Sequence, residues 1–380
     1  MKNIFIALVA VLVSFGHVLA QTTPTQEPAE APPGWWTIPK TKTNLKIGGY
    51  VKFDFIHDFN PIASPDYFDV SKIPTDGSEG VSSHLNAKET RLFIDTKSAT
   101  SIGEIRTYIE GDFYGSGGAF RLRHAFVDIN DKWMAGQWWS NFMDESMIPA
   151  TLDFEKPGAY VFARHAMFRF KQKLSDDAYL AIAIEEPSTN AQAPAQTGKF
   201  ESPLPDFTAR YRIAKKWGHI QASAYAGKLQ YRFTAGETES VSLFGVNLSG
   251  RLNFLEHDYF IYQGVYGPGV GRMRGGISAA LDSNGDLEAL TDMGFTLGVQ
   301  HAWIPTVTSL LTYNHGINDN TAGQAGSSLN MTNYLAANLL WHFTDKAFVG
   351  IEYLRGTRED KDGDSGDANR IQCSVKYAFN

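Results

Sequence analysis

"FRLRHAFVDINDKWMAGQWWSNFMDE" runs from Phe120 to Glu145, and its reading decides the fold. Arg121 and Arg123 stand two residues apart, with Leu122 between them and Phe126 beyond. Side chains two residues apart share a face only in an extended strand. The spacing predicts a strand with arginines on one face and Leu122 and Phe126 on the other. His124 breaks the pattern, because it carries the parity of Leu122 and Phe126.

The same period of two recurs along the chain. Val51, Phe53 and Phe55 oppose Lys52 and Asp54, and Leu92 and Ile94 oppose Arg91, Asp95 and Lys97. Ile105 and Ile109 oppose Glu104, Arg106, Tyr108, Glu110 and Asp112. Phe168 and Phe170 oppose Arg169 and Lys171; Phe207, Ala209, Tyr211 and Ile213 oppose Asp206, Thr208, Arg210 and Arg212. Ile371, Cys373, Val375, Tyr377 and Phe379 close the series. Alternation repeated this often predicts strands.

Connections alternate too. Tight ones fall near 99–101, 130–132, 175–177, 215–218, 305–306 and 344–346, and long ones near 60–86, 141–160, 187–205, 267–291 and 316–330. Short turns at one end and long loops at the other are the layout of an outer-membrane barrel. The expected count is sixteen strands, with 229–260 the hardest stretch to divide. The uncharged stretches Met293–Ile317 and Thr321–Thr344 are long enough to suggest membrane helices. Their internal glycines, asparagines and Pro305 break them into strands instead. A soluble β-sandwich is the competing architecture; it would need two apolar inner faces to meet.

The chain's ends and composition agree with export. Residues 1–20 read as a secretory leader: Lys2, an apolar run from Ile4 to Phe15, and a small-residue end at Ala20. Residues 21–44 read as a Pro-rich periplasmic tether, with Trp35 and Trp36 as a plug, interface residues or simple packing. Residues 45–380 are the expected barrel. A formal charge of −7 argues against nucleic acid as a partner. Cys373 stands alone, so no internal disulfide is possible. Mean hydropathy is negative at −0.25 although apolar strands abound, because polar residues dilute them one to one. That is how a sheet reads when one face meets lipid and the other water.

The phrases "WTIPKTKTNLKIGGYVKFDFIHDF", "RLFIDTKSATSIGEIRTYIEGDFYGSGGAFRLRHAF" and "MAGQWWSNFMDESMIPATLDFEKPGA" resemble DcaP-like outer-membrane porins. The resemblance is dense from Ile38 to Pro187. It implies a homotrimeric sixteen-stranded porin of a Gram-negative outer membrane that passes small anionic solutes such as dicarboxylates. Family members can carry an N-terminal coiled coil where this chain has a Pro-rich tether. Barrels of this kind usually end on an aromatic residue; here Asn380 follows Phe379.

On the barrel reading, Arg121 and Arg123 face the lumen, since a charge facing lipid near the midplane costs roughly 2–4 kcal/mol. Leu122 and Phe126 face lipid or a neighbouring subunit. His124 is then sheltered in a subunit contact or neutral near an interface. Arg91, Arg106, Arg121 and Arg123, with Arg169, Lys171, Arg210 and Arg212 farther round, form candidate pore-lining and solute-binding residues. Guanidinium offers a fork of donors that matches a carboxylate. Two readings stay open: the arginines hand anions along the pore, or they neutralise Glu104, Glu110, Asp95 and Asp112.

The loop 141–160 mixes Asp144, Glu145, Asp153 and Glu155 with Met143, Met147, Ile148, Leu152 and Phe154. It is too apolar to lie free in solvent. Folded into the lumen it is a candidate constriction loop with acids opposite a basic wall; resting on the rim or trimer seam is the alternative. "DSNGDLE" (282–288) and "DKDGDSGD" (360–367) lack the glycine or the closing acid of an EF-hand. No metal or cofactor is expected. The expected partners are small anionic solutes, outer-membrane lipid and lipopolysaccharide. No catalytic motif stands out, so the expectation is not an enzyme. A barrel hydrolase and a non-conducting adhesion barrel are the rival readings.

Overall fold

A computed structural model describes residues 32–154, 158–193 and 197–379. The expected leader, the start of the tether, Glu155 and Asn380 lie outside the described residues. The alternating segments form β1 (Thr43–Asp58), β2 (Arg91–Thr100, preceded on the same edge by Ser82–Asn86), β3 (Gly103–Asp112), β4 (Arg121–Ile129) and β5 (Trp133–Trp139). Next come β6 (Arg164–Lys173), β7 (Ala178–Glu185), β8 (Asp206–Lys215), β9 (Gly218–Phe233), β10 (Thr238–Asn253) and β11 (Tyr259–Pro268). The last five are β12 (Thr291–Ile304), β13 (Val307–Asn318), β14 (Leu329–Thr344), β15 (Ala347–Asp360) and β16 (Ser365–Phe379).

Each strand pairs antiparallel with the next, and the sheet closes on itself. β1 pairs through Gly49–Asp58 with β16 and through Thr43–Tyr50 with β2. Trp36–Thr37 adds to β1 opposite Asn44 and Leu45, just below the reach of β16. The result is a closed sixteen-stranded barrel without a free edge, as lipid requires. Met293–Ile317 divides between β12 and β13 around the turn at Pro305. No described helix is long and apolar enough to cross a membrane. The stretch 229–260 is hard to divide by pattern because its extracellular connection, 234–237, is short.

The two faces separate over most of the wall, although Leu229, Leu243, Ile261 and Val265 of β9–β11 point inward against Phe142, Met143 and Met147. On β1, Val51, Phe53 and Phe55 are about half exposed on the outside, whereas Lys52, Asp54 and Asp58 are buried inside. The inner wall is polar elsewhere too, with Gln221, Ser223, Asn247, Ser249, Gln263 and Asn314 buried. A sandwich would bury apolar faces; this sheet turns them outward.

The alternation fails at one place in the segment from Phe120 to Glu145. Glu110 pairs with His124 and Gly111 with Leu122, which leaves Arg123 as an extra residue on β4. Such a two-against-one bulge inverts the parity of the residues beyond it. Phe126 therefore points inward, 8% exposed, stacked on Tyr108 at 5.7 Å between ring centroids. His124 points inward as well, 4.2 Å from Trp138 and 4.9 Å from Trp139. The expectations that Phe126 faces lipid and that His124 sits outward are both corrected. Gly136, opposite Phe126, takes φ +136°, and a Cβ there would lie 2.3 Å from the Ala125 carbonyl oxygen. Only glycine permits that approach.

Candidate functional site

The expected lumenal arginines fall into two groups. On β3 and β4 every one is matched to an acid. Arg106 forks onto Asp95 at 2.9 and 2.8 Å, and Arg121 onto Asp112 at 3.0 and 2.8 Å. Arg123, 1% exposed, donates Nε to Glu110 at 2.9 Å and Nη1 to Asp112 at 2.8 Å. Its guanidinium also lies 5.8 Å from the Trp139 and Phe154 rings. Arg91 is looser, 3.8 Å from Glu110, with its Nε buried and unbonded.

A few strands farther round the wall the balance changes. Arg169 donates to the Met134 sulfur at 3.4 Å; Arg210 reaches the Met143 carbonyl at 3.5 Å and lies over the Tyr179 ring at 5.5 Å. Arg164 lies over the Trp139 ring at 5.4 Å. Each keeps a buried guanidinium nitrogen with no hydrogen-bond partner, and none has an ion-pair partner among the described residues. The register explains why. Lys171 and Arg210 both flank Ala181, and Arg169 and Thr208 both flank Ala183, so small neutral residues fill the strand between them. Lys171 is taken by Asp131 at a short turn, and Arg212 by Asp144 at 2.9 Å.

The described parts of the loop, 141–154 and 158–160, run inside the barrel. Its first part is fixed to the wall of β9 and β10: the Phe142 carbonyl accepts from Ser223 at 2.7 Å and Asn247 at 3.0 Å, and the Met143 carbonyl from Gln221 at 3.0 Å. Asp144 accepts from Arg212, from His219 at 2.7 Å and from Ser249 at 3.0 Å. Burial pushes this carboxyl up, but His219, Arg212 and Ser249 outweigh it and hold it below its ordinary range. The loop then reaches the far wall, where the Leu152 and Asp153 amides donate to Glu352 at 2.9 and 2.8 Å. It returns past Asn314, which accepts from the Ala159 amide at 2.7 Å.

Of the expected loop acids, Asp144 and Asp153 are fully buried anchors, Asp153 accepting from the Phe68 amide at 2.9 Å. Glu145 accepts from the Trp138 indole at 3.0 Å; Glu155 lies outside the described residues. Ser249 and His219 both donate to Asp144, so the imidazole is not aimed at the serine oxygen as a nucleophile's base must be. No metal-binding cluster occurs among the described residues.

Sequence reasoning missed Arg164. It opens β6 with the parity of Phe168, which is 45% exposed on the outside, yet its neighbours are Trp139 and the Arg121–Arg123 pair. A guanidinium on nominal lipid parity was itself the signal, because lipid would not tolerate it.

Comparison with known proteins places these features. The fold is similar to the outer membrane channel DcaP of Acinetobacter baumannii, with TM-score 0.80 and 22% identity over 89% of this chain and 97% of that one. An anion-selective porin from Comamonas acidovorans aligns with TM-score 0.63 and 9% identity, over 89% of this chain and 100% of that one. OmpT of Vibrio cholerae aligns with TM-score 0.57 and 10% identity, over 89% of this chain and 98% of that one. No curated protein matches the sequence. The family model for the DcaP outer membrane protein matches residues 35–270. With that match over more than half its length and a closed porin-type barrel, the chain belongs to the DcaP outer membrane protein family and resides in the outer membrane.

Proposed function

We propose that this barrel is a passive diffusion channel that prefers small anions, dicarboxylates included, and catalyses no reaction. The observation that carries the reading is the set of three lumen-side arginines, Arg164, Arg169 and Arg210, without a carboxylate partner among the described residues. An unpaired guanidinium in a narrow, poorly solvated wall attracts anions strongly. Donors already satisfied by Asp95, Asp112 and Glu110 do so far less. Several weak sites in succession suit conduction, which needs release as well as capture. The chain's net negative charge does not oppose this, because distant charges are screened within about a Debye length, ~8 Å at physiological salt.

A homotrimer is part of the same reading. Val51 pairs with Tyr377 and Phe53 with Val375 across the β1–β16 seam, and all four are about half exposed on the outer face. That face suits a neighbouring subunit. A monomeric mass in several mild detergents would count against it.

The solute reading is tested by swelling of liposomes that carry the barrel. Succinate should enter faster than a neutral sugar of similar size. Replacing Arg169 and Arg210 by Gln should erase that difference. Equal entry of both solutes through the unaltered barrel would refute the reading.

A further inference from the structure

Near the extracellular end, apart from the three arginines, lies a cavity of about 660 Å³. Loops 59–81, 186–193, 269–290 and 319–328 border it, together with Gly158 of the internal loop. That volume suits a small ligand. Its lining mixes glycines and apolar residues with amides and hydroxyls, and Arg274, Arg358, Asp69 and Asp292 also border it.

One of the two arginines is fully engaged. Arg358 donates Nε to Asp360 at 2.7 Å, Nη1 to the Ser71 carbonyl at 2.8 Å and Nη2 to the Ser327 carbonyl at 3.0 Å. Arg274 is not. Its side chain is 6% exposed, its Nε is buried without a partner, and its Nη1 has only long contacts. These are 3.5 Å to the Met293 carbonyl and 3.7 Å to Asp292. Asp292 is shared: its Oδ2 accepts from the Gly271 amide at 2.7 Å, and its Oδ1 stands 3.7 Å from Arg274, too far for a hydrogen bond. Burial pushes the Arg274 guanidinium below the ordinary arginine range, with Asp292 opposing. Gly316 makes room for it, since a Cβ there would lie 2.8 Å from Nη2.

The amides beside it are oriented. Asn318 and Asn320 both donate Nδ2 to the Leu329 carbonyl, at 3.3 and 3.1 Å. Their Oδ1 atoms accept from no donor among the described residues, so they are acceptors awaiting O–H or N–H groups.

We infer that this vestibule is an outer solute site for a hydroxy acid, its carboxylate on Arg274 and its hydroxyls on Asn318 and Asn320. One under-satisfied cation calls for one negative charge, and the acceptors call for hydroxyl donors. A plain dicarboxylate meets only the first demand. The site rests on the channel reading, since it would load a solute that then passes the deeper arginines.

The test is calorimetric titration of the detergent-solubilised barrel with gluconate, with glucose and succinate as comparison solutes. Gluconate should bind more tightly than either. Arg274→Gln should weaken gluconate about ten-fold, equivalent to ~1.4 kcal/mol. Should that variant fail to fold by far-UV circular dichroism, Asn318→Leu with Asn320→Leu carries the test: it should weaken gluconate and leave succinate unchanged. Unaltered gluconate affinity in a folded variant, or equal affinity for gluconate and glucose, overturns the site. If that happens while Arg169→Gln with Arg210→Gln still abolishes anion preference, the vestibule inference alone falls. If gluconate binds as stated but the barrel shows no anion preference, the channel reading alone falls.

Discussion

Arginines stand on the inner face of β3 and β4 and again on β6 and β8, yet the two groups do different work. Arg106, Arg121 and Arg123 each find an acid one strand away. Arg169 and Arg210 stand beside Ala183 and Ala181, with the Tyr179 ring 5.5 Å from Arg210. Residue type and face are shared, so the neighbouring strand decides whether a cation is paired within the wall or left without an acid. The first group is a cross-linked patch that includes Asp112 with no exposed side-chain surface. The second is a set of guanidinium groups that each keep a buried, unfilled donor.

The largest effect on stability should come from breaking the cross-linked patch. Asp112→Asn leaves Arg121 and Arg123 short of their shared carboxylate, and breaking a buried pair costs about 3–5 kcal/mol. The denaturant midpoint of the barrel in detergent should fall accordingly; an unchanged midpoint would erase the distinction between the two groups. Next in size is the loop anchor. Asp144→Asn weakens charge-assisted bonds to Arg212 and His219, an expected loss of about 1.5–3 kcal/mol, read as noisier single-channel current and faster proteolysis within 141–160.

Acidification tests the same anchor without mutation. Asp144 is held below its ordinary value in the folded barrel, so its contribution is complete above the unfolded carboxyl pKa of about 4. It is lost as pH falls through the lower folded value. Loop noise should therefore rise below about pH 4. The smallest effect on stability should come from Arg164→Gln. Removing a guanidinium with no ion-pair partner should shift the midpoint by less than about 1 kcal/mol in either direction.

Much of the fold was legible in the sequence. Clean alternation on β8 put Phe207 and Tyr211 outside and Arg210 and Arg212 inside, as the structure has them. Loop alternation pointed to the closed barrel. What escaped was local. The bulge at Arg123 adds one residue with no compositional mark, and it turned Phe126 and His124 inward. Arg164 escaped because strand parity does not hold where β5 and β6 run into the internal loop. The partition of the arginines escaped for a deeper reason: it depends on cross-strand register, which alternation within single strands leaves undetermined. Arg121 and Arg123, two of the expected solute contacts, are both paired to acids.

The central claim is that unpaired arginines on β6 and β8, not the paired ones on β4, set the preference of the channel. Reversal potential across a planar bilayer under a salt gradient tests it most directly. The unaltered barrel should show anion preference, and Arg169→Gln with Arg210→Gln should abolish or invert it while the barrel remains folded. Cation preference in the unaltered barrel, or a double variant with the same reversal potential, would contradict the account.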